Sequence, residues 1–450
     1  MCLTRGLGFA LLLTSSCALD DDEARRAFLR NVLLDDNQDL VLRDPSRVAD
    51  KFAAMAQTPY AFLRGSLGVF LRDAQQPGAP SSTPPPPGTV PDLLVVGDPH
   101  PENLGVRGVR ADGLEVDFND FDACRYGPSH LDLRRLTSSL AVACDLIAPD
   151  DDEFRQGMVA ELTAGYLEMI REGTSPPGGA VIGWLLKKAR EDGLAREELL
   201  DDDGISPASA DELILVKSIL EDARAGTAAA AWTPVAAIER RSGRGVASRA
   251  VLRFRVRLVG DSDIDDDDDV FLDVKEARDP VALPGLFAGT ARPFQSNAAR
   301  ITACERALVG DGRDLFLSAG GTGLSFRVAR DVAFHKGLRV EKLAEKWREG
   351  QWDQADMMNL ARFLGARLGD AHRRSVRADG QAALPALQEQ IDDDNAAAWT
   401  KDSVSFADAY LKVHLHDHAL FASLLDEHGP LLGGRSPGLW LPQNDGGPGL

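Results

Sequence analysis

The sequence predicts an α+β protein in two lobes: a mainly helical large lobe and a smaller lobe on an antiparallel sheet. Three observations carry this. Apolar residues recur at three-to-four spacing over 131–147, 154–170 and 355–374, each a helix-length stretch. "VLRFRVRLV" (251–259) alternates apolar residues with arginine, the period of a strand with one buried face, and "VFLDVKEA" (270–277) supplies its hairpin partner. A chain of 450 residues is long enough for two core-forming units or one large two-part body.

The elements follow in order. Residues 1–19 read as a signal or lipoprotein peptide: one early arginine, an apolar run from Gly6 to Leu13, small residues, then acids. The small residues before Cys17 resemble a bacterial lipobox, so the expectation is export, with membrane attachment through a lipidated Cys17. The plainer reading is a frayed N-terminus on a cytoplasmic protein. Residues 20–91 form a helical segment containing "AFLRGSLGVFLRDA" (61–74), closed by a proline-rich connector. Residues 92–235 begin the large lobe. "DLLVV" (92–96) and "LEVDF" (114–118) are expected to pair as a small hairpin around the turn chemistry of "GVRGVRADG". Leu133, Leu136, Leu140 and Ile147 mark the helix that follows. The acids of "PDDDE" suit the positive end of the next, which stops at Gly173. Residues 236–345 hold the sheet lobe, with a helix at 295–309. Residues 346–432 return as helices to the large lobe, and 433–450 form a disordered tail.

Composition narrows the classes. An apolar fraction of 44% and a charged fraction of 27% are those of an ordinary soluble protein. A net charge of −20 excludes a general nucleic-acid binder, which needs a basic face. The acidic run at 261–269 lacks the glycine and closing glutamate of a calcium loop and reads as a solvated turn. The five cysteines have no metal-ligand spacing and suggest neither a zinc site nor a disulfide framework. No interior stretch is apolar for long enough to span a membrane.

The chemistry concentrates in "VVGDPHPENLG" (95–105). Pro99 and Pro101 forbid a continuing helix, so Asp98, His100 and Asn103 lie on a rigid loop at a strand end. Downstream, "DFNDFD" places Asp117, Asp120 and Asp122 after a second short strand. Carboxylates gathered this way repel unless a proton or cation relieves them, and magnesium takes one or two carboxylates together with substrate phosphates.

"GDPHPEN" resembles the "HGDLHPGN" loop of aminoglycoside-phosphotransferase-like enzymes, and "DFDACRYGPSHLDL" (120–133) resembles their metal-ligand segment. The resemblance implies a protein-kinase-like fold. It makes Asp98 the catalytic base, Asn103 and Asp120 magnesium ligands (with Asp117 and Asp122 as further candidates), and Asp132 a structural anchor. The remaining kinase parts come later in the chain, as though the lobes were circularly permuted. Gly243 and Gly245 form a turn to cover the nucleotide, Lys275 stands on a strand, and Glu305 on the next helix is its candidate ion-pair partner. The implied cofactors are Mg²⁺ and ATP, with an unspecified hydroxyl-bearing acceptor. "TPYAFLRGSLGVF", "DFNDFDACRYGPSHLDLRRLTSSLAVA", "FRVARD", "LGARLGDAHRRS" and "FADAYLKV" also resemble an uncharacterised bacterial family, domain-of-unknown-function family 2252. That family brings no established activity.

Other residues carry two readings. His100 is a packed histidine or a metal ligand, and His372 a hydrogen-bonded histidine or a site residue. Arg64 and Arg327 bind carboxylates or phosphate, and the arginine row 253/255/257 is a solvated strand face or an anion surface. Three functions are therefore in play: a Mg-ATP phosphotransferase, a metal-dependent phosphoester hydrolase, and a non-catalytic nucleotide binder. Export would weigh against the first, because ATP is scarce outside the cell.

Overall fold

The computed structural model describes residues 21–434 apart from 76–89, 91, 109, 199–204, 226–234, 242–245, 247–248, 260–268, 282–293, 310–317, 321–323 and 392. The leader with Cys17, the proline-rich connector, Gly243 and Gly245, most of the acidic run and the tail lie outside these residues. The fold is mixed α and β, dominated by helices, with every sheet antiparallel.

Four helices open the chain: α1 (Asp22–Arg43), α2 (Pro45–Met55), α3 (Pro59–Gly65) and α4 (Leu67–Asp73). Their starts are written locally. Asp21 accepts from the amides of Glu23 and Ala24; Asp44 ends α1 and caps α2 ahead of Pro45; Thr58 caps α3 ahead of Pro59. Their apolar faces, Leu29, Leu33, Phe52 and Phe62 among them, meet Phe421 and Leu424 near the C-terminal end of the described chain.

Two short pairings follow. Strands β1 (Leu93–Val95), β2 (Leu104–Gly108), β3 (Glu115–Phe118) and β4 (Arg125–Gly127) do not join as the sequence suggested. β1 pairs with β4, whereas β2, drawn from the presumed turn, pairs with β3. The reason is sorting: Leu104 and Val106 are fully buried, so "LGVRG" takes strand rather than turn conformation.

Helices α5 (Ser129–Ile147), α6 (Asp152–Glu172) and α7 (Gly179–Glu198) complete the first half of the helical body. Asp151 caps α6, and Gly173 ends it at φ 73°, a left-handed position that glycine takes without strain. The sheet region comprises β5 (Ile205–Pro207), α8 (Ala210–Ala225), β6 (Val235–Arg241), β7 (Arg253–Leu258), β8 (Val270–Ala277), α9 (Asn297–Val309), β9 (Ser318–Gly320) and β10 (Ser325–Arg330). Its strands run in the order β5-β6-β7-β8-β10-β9. The expected hairpin is present, with Leu258 opposite Val270 and Arg253 opposite Lys275. The strand period sorts the two faces. Phe254, Val256, Leu272, Val274, Phe326 and Val328 pack on Val216, Ile219 and Leu220 of α8 as a separate core. The opposite face is charged. Its arginine row is only partly exposed, and each member pairs with a carboxylate: Arg253 with Asp273, Arg255 with Glu239, Arg257 with Asp269.

The chain then returns to the helical body through β11 (Phe334–Gly337), which pairs with β2, and through α10 (Val340–Arg348), α11 (Gln354–Arg374), α12 (Ala383–Gln390) and α13 (Asp393–His428). α6 and α11 pack backbone to backbone. A Cβ on Gly165 would lie 2.0 Å from the Arg362 carbonyl oxygen, and one on Gly365 would lie 1.8 Å from that of Leu162.

One buried ion group ties the N-terminal helices to α13. Arg25, 2% exposed, donates to Asp73 of α4 at 2.7 and 2.9 Å and to Asp417 of α13 at 2.7 Å. Burial pushes both carboxyls up, Asp417 to about 6, with Arg25 opposing. Because the folded value lies above the ordinary 3.8, Asp417 takes stability from the fold as pH rises between 3.8 and about 6. Arg25→Met strands two buried carboxylates, and the expected loss is about 3–5 kcal/mol near neutral pH, shrinking near pH 5 as they take up protons. Urea unfolding at the two pH values measures this; equal losses would refute the account.

Candidate functional site

The loop after β1 is fixed before any ligand arrives. Asp132, in the first turn of α5, accepts from the amides of Val96 at 2.7 Å and Gly97 at 2.9 Å. Its Oδ2 also lies 3.1 Å from His372 Nε2, and the other ring nitrogen of His372 meets the Tyr166 hydroxyl at 3.0 Å. Asp132 is thus the structural anchor expected of it, and His372 is a buried, hydrogen-bonded histidine. Gly97 sits at φ 90°, and a Cβ there would come within 2.1 Å of the Ala123 carbonyl oxygen. The Asp98 loop is thereby pressed against the segment carrying Asp120 and Asp122.

Within the loop, Asn103 closes a 3-10 turn and donates its amide NH2 to the Asp98 carbonyl at 2.9 Å, which leaves the amide oxygen to accept. Asp98 Oδ1 accepts from Arg135 Nε at 2.8 Å. Its other carboxylate oxygen accepts no hydrogen bond from a described residue. Burial pushes the Asp98 carboxyl up, and Arg135 and Arg64 oppose the shift. His100 is 3% exposed with its ring edge toward Tyr60, and burial holds it well below its usual value, the packed reading of this residue.

The two distant stretches of sequence meet here. Lys275 Nζ donates to Asp122 Oδ2 at 2.6 Å, while Asp120 accepts from the Asp122 amide at 3.2 Å. Burial and the neighbouring Asp120 push the Asp122 carboxyl up. Burial alone would lower the Lys275 ammonium, but Asp120 and Asp122 outweigh it and hold it above its usual value. Asp98, Asn103, Asp120 and Asp122 line one cleft.

Two expected members stand elsewhere. Asp117 accepts from the Phe118 amide at 2.8 Å and lies 3.8 Å from Arg374 of α11, outside the cleft lining. Glu305 is not the partner of Lys275. It accepts from Arg107 at 2.9 Å and from Arg327 at 2.8 Å, and these two outweigh burial and hold its carboxyl below the ordinary value. Arg327 lies directly opposite Lys275 across β8 and β10, so the arginine takes the glutamate and the lysine is left to Asp122. Arg64 binds a carboxylate too, Glu102 at 2.7 Å.

A disulfide, against expectation, joins Cys124 to Cys304 across 180 residues. It links the acidic segment to α9, one residue before Glu305. Spacing alone cannot reveal such a pair, because only the folded chain brings the two sulfurs together.

Sequence reasoning also missed the wall made by the N-terminal helices. Asp36, Lys51 and Arg64 line the cleft from that side, and Val251 and Arg278 from the sheet side. A signal was present in α2. Val48, Lys51, Phe52 and Met55 share one buried helical face, on which a lysine is out of place.

Among the described residues, no three His, Cys, Asp or Glu side chains gather into a ready metal cage. Nor is any helix long and apolar enough to cross a membrane.

This combination defines a mixed α/β protein with a carboxylate-rich cleft, one of whose carboxylates, Asp122, pairs with a strand lysine. The family model described as an uncharacterized protein conserved in bacteria, DUF2252, matches residues 43–190 and 217–424, and the chain belongs to that family. No curated protein and no solved structure matches it.

Proposed function

We propose that this protein is a kinase-like phosphotransferase that uses Mg-ATP, its two lobes in swapped chain order, acting on a hydroxyl-bearing acceptor. The observation that carries the reading is the 2.6 Å contact of Lys275 with Asp122 in the cleft that Asp98, Asn103 and Asp120 line. The order of two parts supports it, the glycine-bearing connection between β6 and β7 followed by the lysine of β8, although Glu305 of α9 does not take the kinase glutamate's place beside that lysine.

The donor set suits magnesium. Asn103, Asp120 and Asp122 offer oxygen atoms only, and two carboxylates leave coordination room for phosphate. Burial first and the neighbouring Asp120 second push the Asp122 carboxyl up, and a bound cation would offset both. Bound magnesium would neutralise charge on the donor phosphates. Asp98 takes the proton of the acceptor hydroxyl, Arg135 fixes that carboxylate, and Lys275 steadies the donor phosphates.

Lys275→Ala is the direct test. Thermal-shift titration should show Mg-ATP stabilising the native protein by mass action, and at least about tenfold weaker binding in the variant. Unchanged nucleotide affinity would sever the sheet region from the site.

A second reading, an exported nucleotide-binding protein without turnover, draws on the Cys124–Cys304 disulfide. Such bonds persist in oxidising compartments, where ATP is scarce. It predicts Mg-ATP binding with no transfer.

A further inference from the structure

Among the described residues, Lys51 is the basic residue lining the cleft that has no ion-pair partner. It is 6% exposed, and its ammonium donates to a neutral acceptor, Asn37 Oδ1, at 2.8 Å. Among the described residues no carboxylate lies within ion-pair distance of it. The acids nearest by charge are already taken: Asp36 pairs with Arg72 at 2.9 Å, and Asp39 with Arg278 at 2.7 Å. Arg278, across the cleft edge, adds a repelling positive charge. A buried cation in this state is costly, and strongly perturbed buried groups cluster at functional sites.

We infer that Lys51 is the anion receptor of this cleft, docking an oxyanion group of the ligand, phosphate above all, in the cleft that Asp98 also lines. The inference deepens the phosphotransferase reading by assigning α2 a part in ligand recognition, and rests on that reading only for the ligand class. Two sources fit one chemistry. The oxyanion is a phosphate of the donor nucleotide or an acidic substituent of the acceptor.

Burial pulls the ammonium down to about 8, with Arg278 adding to the shift and Asp36 and Asp39 opposing it. Anion affinity should therefore fall as pH rises through that value, the amine losing its charge, and Lys51→Arg should flatten the profile. A purely structural lysine would not move this readout.

The test titrates inorganic phosphate and Mg-ATP separately into wild type, Lys51→Met and Asn37→Leu/Lys51→Met by calorimetry, with melting curves of each ligand-free protein. The double variant removes the acceptor that the single variant orphans. Expected are ligand-free melting temperatures no lower than wild type for the double variant and at least about tenfold weaker phosphate binding in both. A parallel fall in Mg-ATP affinity assigns the oxyanion to the donor; unchanged Mg-ATP affinity assigns it to the acceptor. Phosphate bound through Lys51 by a protein that ignores nucleotide would sink the phosphotransferase reading and leave this inference standing. Unaltered phosphate affinity in both variants, or a wild type that binds no phosphate, would overturn the inference whatever the nucleotide does. Failure of both variants to fold would make Lys51 a structural cation and overturn it as well.

Discussion

Asp98→Asn protein is expected to keep its fold and its nucleotide affinity while turnover falls by about 10²–10⁴, the range a positioned general base supplies. That is about 3–5 kcal/mol of barrier. The substitution is discriminating because of what it preserves. An asparagine oxygen can still accept from Arg135 Nε, now at 2.8 Å from the carboxylate, so the buried guanidinium keeps a partner. What disappears is basicity. Burial pushes Asp98 above the ordinary carboxylate value, against Arg135 and Arg64, which makes it the stronger base. Single-turnover consumption of Mg-ATP, with melting and nucleotide titration on the same sample, measures the three quantities together. Retained turnover in the folded variant would remove Asp98 from the reaction. Loss of nucleotide binding alongside would mean that the loop holds the donor rather than attacks with the acceptor.

Cys124→Ser/Cys304→Ser is expected to lower stability by about 2–5 kcal/mol relative to the oxidised protein. The bond closes a loop with a sequence separation of 180 residues, so the unfolded chain loses much freedom when it forms. Its place is as telling as its length. Arg300 of α9 also donates to the Cys124 carbonyl, so the covalent tie and a hydrogen bond fasten the same two segments. Denaturant unfolding of the wild type with and without reductant should reproduce the variant's loss. Identical curves would show that the tie contributes nothing to the fold. Because the tie joins the acidic segment to α9, the reduced protein should also bind nucleotide more weakly, a second readout on the same preparations.

What the sequence disclosed about this site follows a physical rule. The placing of Asp98, Asn103 and Asp120 along one cleft, and of Asp132 beneath the loop, was legible because prolines, an Asx turn and a helix start fix each of them by local geometry. The β7–β8 hairpin was legible because alternation over Phe254, Val256 and Leu258 is local as well. Partnerships across the chain were not. β1 takes β4 rather than its neighbour, Glu305 takes Arg327 rather than Lys275, and Cys124 takes Cys304; each choice depends on contacts made by segments far away. Asp117 misled for a related reason. It shares a run with Asp120 and Asp122, yet β3 carries it toward Arg374. The N-terminal wall was hidden because Lys51 has no motif around it, only a misplaced charge on an apolar helix face.

The glycine contact between α6 and α11 has a mechanical corollary. Two helices whose main chains touch, with no side chain between them at Gly165 and Gly365, can neither roll nor slip without collision. His372 on α11 meets Asp132, which holds the amides of Val96 and Gly97, so the Asp98 loop is tied to this glycine-locked helix pair.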